Sequence, residues 1–133
     1  MRKFNRLGLA VGLAFALAGC GASPEQLFDA ARADFAKHEF TRARVTLGQV
    51  LQDQPANAPA LDLLVRTHLE LADADSALAG LDRLAALGKS PSDGAVLRGE
   101  AELLRGNFDT ALAMVARESS AAALRVRALA RVA

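Results

Sequence analysis

Apolar residues recur along most of the chain at the three- and four-residue steps of amphipathic helices. In the centre, Leu61, Val65 and Leu69 follow this spacing. A second run with the same spacing extends from Ala77 to Leu84, and the short segment from Ala72 to Asp75 separates the two runs. This pattern predicts a helix, a tight turn and an antiparallel helix.

The predicted hairpin recurs along the chain with a period of 34 residues. One position in the first helix of each hairpin repeats as Ala31, Val65 and Gly99. One position in the second helix repeats as Ala43, Ala77 and Ala111. Two helices are expected to approach most closely at these positions. A fixed period of this length is typical of stacked helical hairpins, none of which buries its apolar face alone. We predict three hairpins over residues 24–118 and a terminal helix within residues 119–133.

Composition and charge agree with an all-α chain and exclude one class of partner. Ala and Leu dominate the 133 residues, and Trp and Tyr are absent, which favours helices throughout. The formal charge is +1, but residues 20–133 carry 13 basic and 15 acidic side chains. A nucleic-acid-binding protein would need a basic stripe, so we expect no nucleic-acid partner.

The repeat pattern resembles the tetratricopeptide repeat. The matching features are the 34-residue unit, the small residues at its eighth and twentieth places, Pro55 at the end of the first unit and the turn from Gly106 to Asp109. Val65 is larger than the usual small residue, and no unit has the family's early Trp. The resemblance implies a right-handed stack of antiparallel helical hairpins, with about three hairpins and a final helix.

In this family the first helix of each hairpin lines a concave groove that commonly receives a peptide or partner helix. The resemblance implies these groove positions: Phe28, Arg32, Phe35, Asp62, Arg66, Leu69, Val96, Glu100 and Leu103. Arg32 and Arg66 lie one repeat apart and are expected in one column. The four-residue step from Asp62 to Arg66 also fits an ordinary helix-surface ion pair, which contributes only a few tenths of a kcal/mol.

The N-terminal residues are typical of a targeting segment. A basic start is followed by the apolar run from Leu7 to Leu17, about half the length of a membrane-spanning helix. The sequence from Leu17 to Cys20 resembles the lipobox of bacterial lipoproteins, which implies a signal peptide over residues 1–19, lipidation of Cys20 and a tether over residues 20–23. In such lipoproteins an Asp directly after the cysteine typically retains the protein in the inner membrane. Gly21 stands at that position here, which favours the outer membrane. The alternative is ordinary secretory cleavage after Ala18, which would leave the only cysteine as a free thiol.

Polar residues before the helices supply predicted caps. Ser23 and Pro24 can begin the first helix, with Gln26 completing a capping box. The segment from Ser90 to Asp93 has the same order of cap, proline and acid, and Ser119 or Ser120 can cap the last helix.

The last helix is predicted from Ala121 to Val132. It resembles the first helix of a fourth hairpin, with Ala128 in the small position, or it forms a terminal cap; we favour an array that continues. Leu124, Leu129 and Val132 are expected on one side without a covering helix, which makes self-association through this helix a further possibility.

Candidate chemistry is sparse. His38 and His68 are 30 residues apart, without another His or Cys nearby, so a metal site is not expected. Ser119 and Ser120 lack a base that could activate them. We therefore expect neither an enzyme nor a cofactor.

The lipobox, the immediate first hairpin and the repeat register together resemble the repeat lipoproteins of exosortase and exopolysaccharide systems. The residues that carry this likeness run from Gln49 through Pro55 to Ala60, with a later segment from Gly88 to Pro91. The resemblance implies a lipid-anchored periplasmic scaffold for protein partners in polysaccharide export or protein sorting. Two alternatives stay open: a lipoprotein of an outer-membrane or pilus assembly, and an accessory subunit that holds a ligand or a glycan-processing enzyme. A glycan site would need aromatic platforms, and Phe40 and Phe108 are expected in the core.

Overall fold

The computed structural model describes residues 21–133, which form seven helices. Their bounds are α1 Pro24–Ala36, α2 Phe40–Asp53, α3 Ala58–Glu70, α4 Ala74–Ala86, α5 Gly94–Leu104, α6 Phe108–Met114 and α7 Ala121–Val132. The predicted signal peptide over residues 1–19 and the predicted lipidation site Cys20 lie outside the described residues.

The helices are arranged as a stack of antiparallel hairpins. α1 packs on α2, α3 on α4 and α5 on α6, and each hairpin also packs on the one before it. α7 packs against both helices of the third hairpin. Residues 21–133 contain no strand, so the predicted all-α hairpin solenoid is confirmed.

The turn inside each hairpin places one residue in the left-handed backbone region. His38, Ala72 and Gly106 have φ of 61°, 56° and 77° and lie one repeat apart. The amide after each of them closes the preceding helix; that of Asp73, for example, donates to the His68 carbonyl at 2.8 Å. Only the third turn uses glycine, so the first two turns retain backbone strain of about 1–2 kcal/mol each.

The predicted caps are confirmed at two of the three helix N-termini. Ser23 and Gln26 form the predicted capping box, and the Ser120 hydroxyl accepts from the Ala123 amide at 3.2 Å. The third prediction is wrong, because Pro91 lies before α5, which begins at Gly94. Asp93 occupies the cap position there, but its side chain accepts no hydrogen bond from the helix backbone, since Arg66 binds its carboxylate.

The small residues of the repeat lie at the contacts between helices. Ala31, Ala43, Ala77 and Ala111 are completely buried, and larger apolar residues such as Leu47 fill the space around them. Two clusters result. The first two hairpins share one cluster with part of α5, and the third hairpin and α7 form the other.

Val65 and Gly80 explain the departure from the repeat pattern in the second hairpin. Val65 is completely buried and occupies the place where Ala31 and Gly99 stand in the neighbouring hairpins. Its Cγ2 atom lies only 2.5 Å from the position that a Cβ atom on Gly80 would take. The absent side chain of Gly80 in α4 therefore makes room for the larger Val65 in α3. Gly99 has the same role in the third hairpin, where an added Cβ would lie 2.9 Å from Val115.

The third hairpin is shorter than predicted. Its second helix, expected to reach about Glu118, ends at Met114, and α7 begins 27 residues after α5, compared with 34 from α1 to α3. The guanidinium of Arg127 in α7 donates to the carbonyls of Val115, Ala116 and Glu118 and so holds the segment that follows α6.

The buried face of α7 also differs from the prediction. Ala128, predicted in the small position, is exposed. Ala123, Val126 and Ala130 form the buried face instead.

We predict that Gly80→Ala destabilises the protein by about 1–3 kcal/mol, because the new methyl group overlaps the stiff side chain of Val65. The matched control is Gly48→Ala in α2, which meets nothing within 4 Å. It should stabilise the protein by about 0.5–1 kcal/mol through helix propensity alone. In a Val65→Ala background, Gly80→Ala should also become stabilising. Urea denaturation of the four variants measures this, and a Gly80→Ala effect that does not depend on Val65 would contradict the proposed fit.

Candidate functional site: a cleft between the first helices and α7

The predicted groove residues of α1 make contacts within the first two hairpins. Phe28 packs against the core of the first two hairpins. Phe35 contacts Phe40 edge to face, with ring centroids 5.3 Å apart. Arg32 is exposed, with Asp29 as an ion-pair partner at 3.6 Å. The two aromatic rings therefore stabilise the first hairpin.

Arg66 is held by two carboxylates. Its Nε donates to Asp62 at 3.0 Å, while its two terminal nitrogens donate to the two Asp93 oxygens at 2.9 and 3.0 Å. The hydrogen bonds with Arg66 hold the pKa of Asp93 below its ordinary value, and Asp93 raises the pKa of Arg66 in turn. The surface ion pair considered from the sequence is present. Arg66 joins α3 to the start of α5, and its donors are engaged within the fold.

Three of the predicted groove residues do come together. Leu69, Glu100 and Leu103 line a cleft with a volume of about 570 Å³ between α3, α5 and α7. The remaining lining residues are Glu70, Leu104, Phe108, Arg125, Leu129, Val132 and Ala133. The predicted Val96 is buried in the core. Apolar side chains from three helices therefore face one another across an open surface.

One ion pair lies within the cleft. Arg125 of α7 donates to Glu100 of α5 at 2.6 Å, which links the two helices that form its sides. Glu70 is exposed at the end of α3 and makes no ion pair within residues 21–133. The cleft therefore combines leucine side chains, a neutralised arginine and one carboxylate that is available to a partner.

Part of the chain matches a known family of helical repeats. Residues 34–90, which include α2, α3 and α4, match the family model of the tetratricopeptide repeat. The match supports the assignment of this chain as a tetratricopeptide-repeat protein. No curated protein matches the chain at a significant level. The family match covers α2 and the second hairpin but not most of α1, and most of the cleft lies in the part of the chain beyond it.

Several residues of the cleft were not predicted, and two expectations about it were wrong. Phe108, expected in the core, lines the cleft. Leu124 does not share a face with Leu129 and Val132, because it lies on the other side of α7. The apolar residues of the last helix indicated an exposed apolar surface. The sequence pattern did not show that Leu124 and Leu129 lie on opposite sides of α7.

His68 lies near the turn of the second hairpin. Its Nδ1 is 3.2 Å from an Asp73 carboxylate oxygen, although the geometry is not that of a hydrogen bond. Burial lowers the pKa of His68, and the charge of Asp73 partly opposes this effect. Within residues 21–133, no three His, Cys, Asp or Glu side chains cluster in a way that could hold a metal ion. In the same part of the chain, no helix is long and apolar enough to cross a membrane.

We predict that the free energy of unfolding decreases as the pH falls below about 6.5, the ordinary pKa of histidine. Because the pKa of His68 is lower in the folded state, the unfolded chain binds the proton first; the stabilisation is complete above this pH and is lost as the pH falls. His68→Gln should reduce this dependence between about pH 7 and pH 5. Asp73→Asn keeps a capping side chain but removes the opposing charge, so the decrease should become larger. Denaturation curves across this range measure both effects, and an unchanged profile in His68→Gln would contradict the assignment.

Proposed function

We propose that the protein is a lipid-anchored scaffold of the bacterial cell envelope that binds protein partners through the cleft. Tetratricopeptide repeats generally mediate protein–protein interactions. The observation that supports a specific surface here is the convergence of Leu69, Leu103 and Leu129 from three helices on one open cleft. Such a surface fits the apolar face of a helix or a short extended peptide.

The charges of the cleft favour a protein partner with a basic residue beside its apolar anchors. Glu100 already neutralises Arg125, whereas Glu70 has no ion-pair partner among the described residues. A lysine or arginine of the partner would pair with Glu70, and apolar side chains would cover the leucines. We propose no catalytic step and no cofactor.

We further propose that Cys20 carries the lipid anchor and that the stack faces the periplasm from the outer membrane, with the inner membrane as the alternative. α1 begins at Pro24, so a lipid on Cys20 would hold the first hairpin close to the membrane surface. The lipobox resemblance supports the anchor, and the resemblance to repeat lipoproteins of exopolysaccharide systems supports a role in polysaccharide export or protein sorting. Outer-membrane or pilus assembly and an accessory subunit remain the alternative pathways.

To test the cleft, a photo-crosslinking amino acid is placed at Leu104, which lines it and is 48% exposed. The matched control is Val45 in α2, which is 57% exposed and does not line the cleft. We expect irradiation of cells to give a discrete crosslinked protein from position 104 and none from position 45. Leu129→Asp should abolish that product, because it places a charge among the leucines.

The identity of the crosslinked protein separates the pathways. A polysaccharide-export or sorting component would support the proposed role in export or sorting. An assembly barrel or secretin would support the alternative role in outer-membrane or pilus assembly. A glycan-processing enzyme would support the accessory-subunit alternative. No product from position 104, or equal products from both positions, would contradict binding through the cleft.

The anchor is tested separately. The wild-type protein should incorporate labelled fatty acid and fractionate with membranes, since each buried CH₂ group contributes about 0.8 kcal/mol and several acyl chains bind almost irreversibly. Cys20→Ser should accumulate as an uncleaved precursor without label. A soluble, unlabelled wild-type protein would show that the segment is not a lipidation signal.

A further inference from the structure

α7 has a second exposed face, which points away from the cleft. This face presents Leu124, Ala128 and Arg131 at successive steps of four and three residues, and Leu112 of α6 and Ala116 just after α6 lie beside them. Together these residues form a groove of about 580 Å³, which Arg127 also lines. We call it the outer groove. Leu124 is 55% exposed there.

The outer groove has the shape that helix packing requires. Its two apolar positions on α7, Leu124 and Ala128, lie one four-residue step apart, and the two alanines leave room for close approach of a backbone. α7 itself packs on the third hairpin, as α3 and α5 pack on the hairpins before them. A further helix lying along α6 and α7 would therefore continue the stacking pattern.

Charge indicates the chemistry of that helix. α7 contains three arginines and no acidic residue. Arg125 is neutralised by Glu100 in the cleft, but Arg131 makes no ion pair in the part of the chain that the structure describes. No acidic side chain lines the outer groove. Its positive charge is thus complementary to a partner with carboxylates beside its apolar stripe.

The stack contains an example of the same chemistry. α4 is an alanine- and leucine-rich helix whose acidic residues reach one arginine in the neighbouring α5 and another at its C-cap. Asp82 pairs with Arg98 at 2.6 Å, and Asp75 pairs with Arg105 at 3.3 Å. An acidic amphipathic helix is therefore the kind of element that already covers an arginine-bearing helix in this fold.

We propose that the outer groove binds an acidic amphipathic helix of a partner protein. The helix lies along α6 and α7, with its apolar side chains on Leu124 and Ala128 and a carboxylate on Arg131. This site is independent of the proposed cleft, because the two surfaces lie on different faces of α7.

The test uses the full chain in mild detergent and two synthetic helical peptides of about 15 residues, or four turns. Both peptides carry the same leucine and alanine stripe; glutamates flank the stripe in one and lysines in the other. We expect the glutamate peptide to bind at least about tenfold more tightly than the lysine peptide, measured by fluorescence anisotropy. Leu124→Asp should weaken its binding about tenfold or more, while Leu129→Asp in the cleft should leave it unchanged.

Charge reversal removes the ambiguity of a variant that simply fails to fold. Arg131→Glu should weaken the glutamate peptide and strengthen the lysine peptide, and a gain of binding cannot come from unfolding. The proposal is overturned if the glutamate peptide does not bind, if the two peptides bind equally, or if Leu129→Asp rather than Leu124→Asp removes binding. The last result would assign the peptide to the cleft.

Discussion

The close approach of helices at small side chains is the constraint on which the rest of the structure depends. Within a hairpin, two helices can press together only where neither presents a bulky side chain, and Ala43, Ala77 and Ala111 are buried at such places. The second hairpin satisfies the same constraint differently, because Gly80 accommodates Val65. What is conserved is the combined side-chain volume of the two facing helix positions, not the size of either residue alone. This is why the stack retains its geometry although the repeat is imperfect.

In the third hairpin the period is interrupted, and the packing changes as a result. α6 is only seven residues long, and α7 enters the stack early, with Arg127 binding the carbonyls of Val115 and Ala116 just beyond the end of α6. The third hairpin and α7 then form a core of their own around Val115 and Val126. Leu124 and Leu129 remain exposed on two different faces of α7, and each face lines one of the two proposed binding surfaces.

Local patterns in the sequence predicted most of the fold, because helix spacing, turns and caps depend on neighbouring residues. The bounds of α7 and the capping box at Ser23 are of this kind. The failures involve contacts between distant residues. Asp93 was expected to favour the start of a helix, but Arg66, 27 residues earlier, binds its carboxylate. The end of α6 depends likewise on Arg127. Of the predicted groove residues, those that line the cleft are the ones that α7 faces, and no local pattern fixes which face of α7 turns toward α5.

The two exposed faces of α7 differ in how their charge is balanced, and this difference gives the proposed scaffold a way to hold two partners. In the cleft, the Glu100–Arg125 pair leaves apolar contact as the main source of affinity, with Glu70 selecting a basic residue. In the outer groove, the described chain supplies no carboxylate for Arg131, so an acidic helix gains both apolar and electrostatic contacts. Partners of opposite charge would thus be sorted to opposite faces of one helix. Ala123, Val126 and Ala130 fix α7 on the third hairpin. A partner bound on one face therefore does not have to displace the partner bound on the other face.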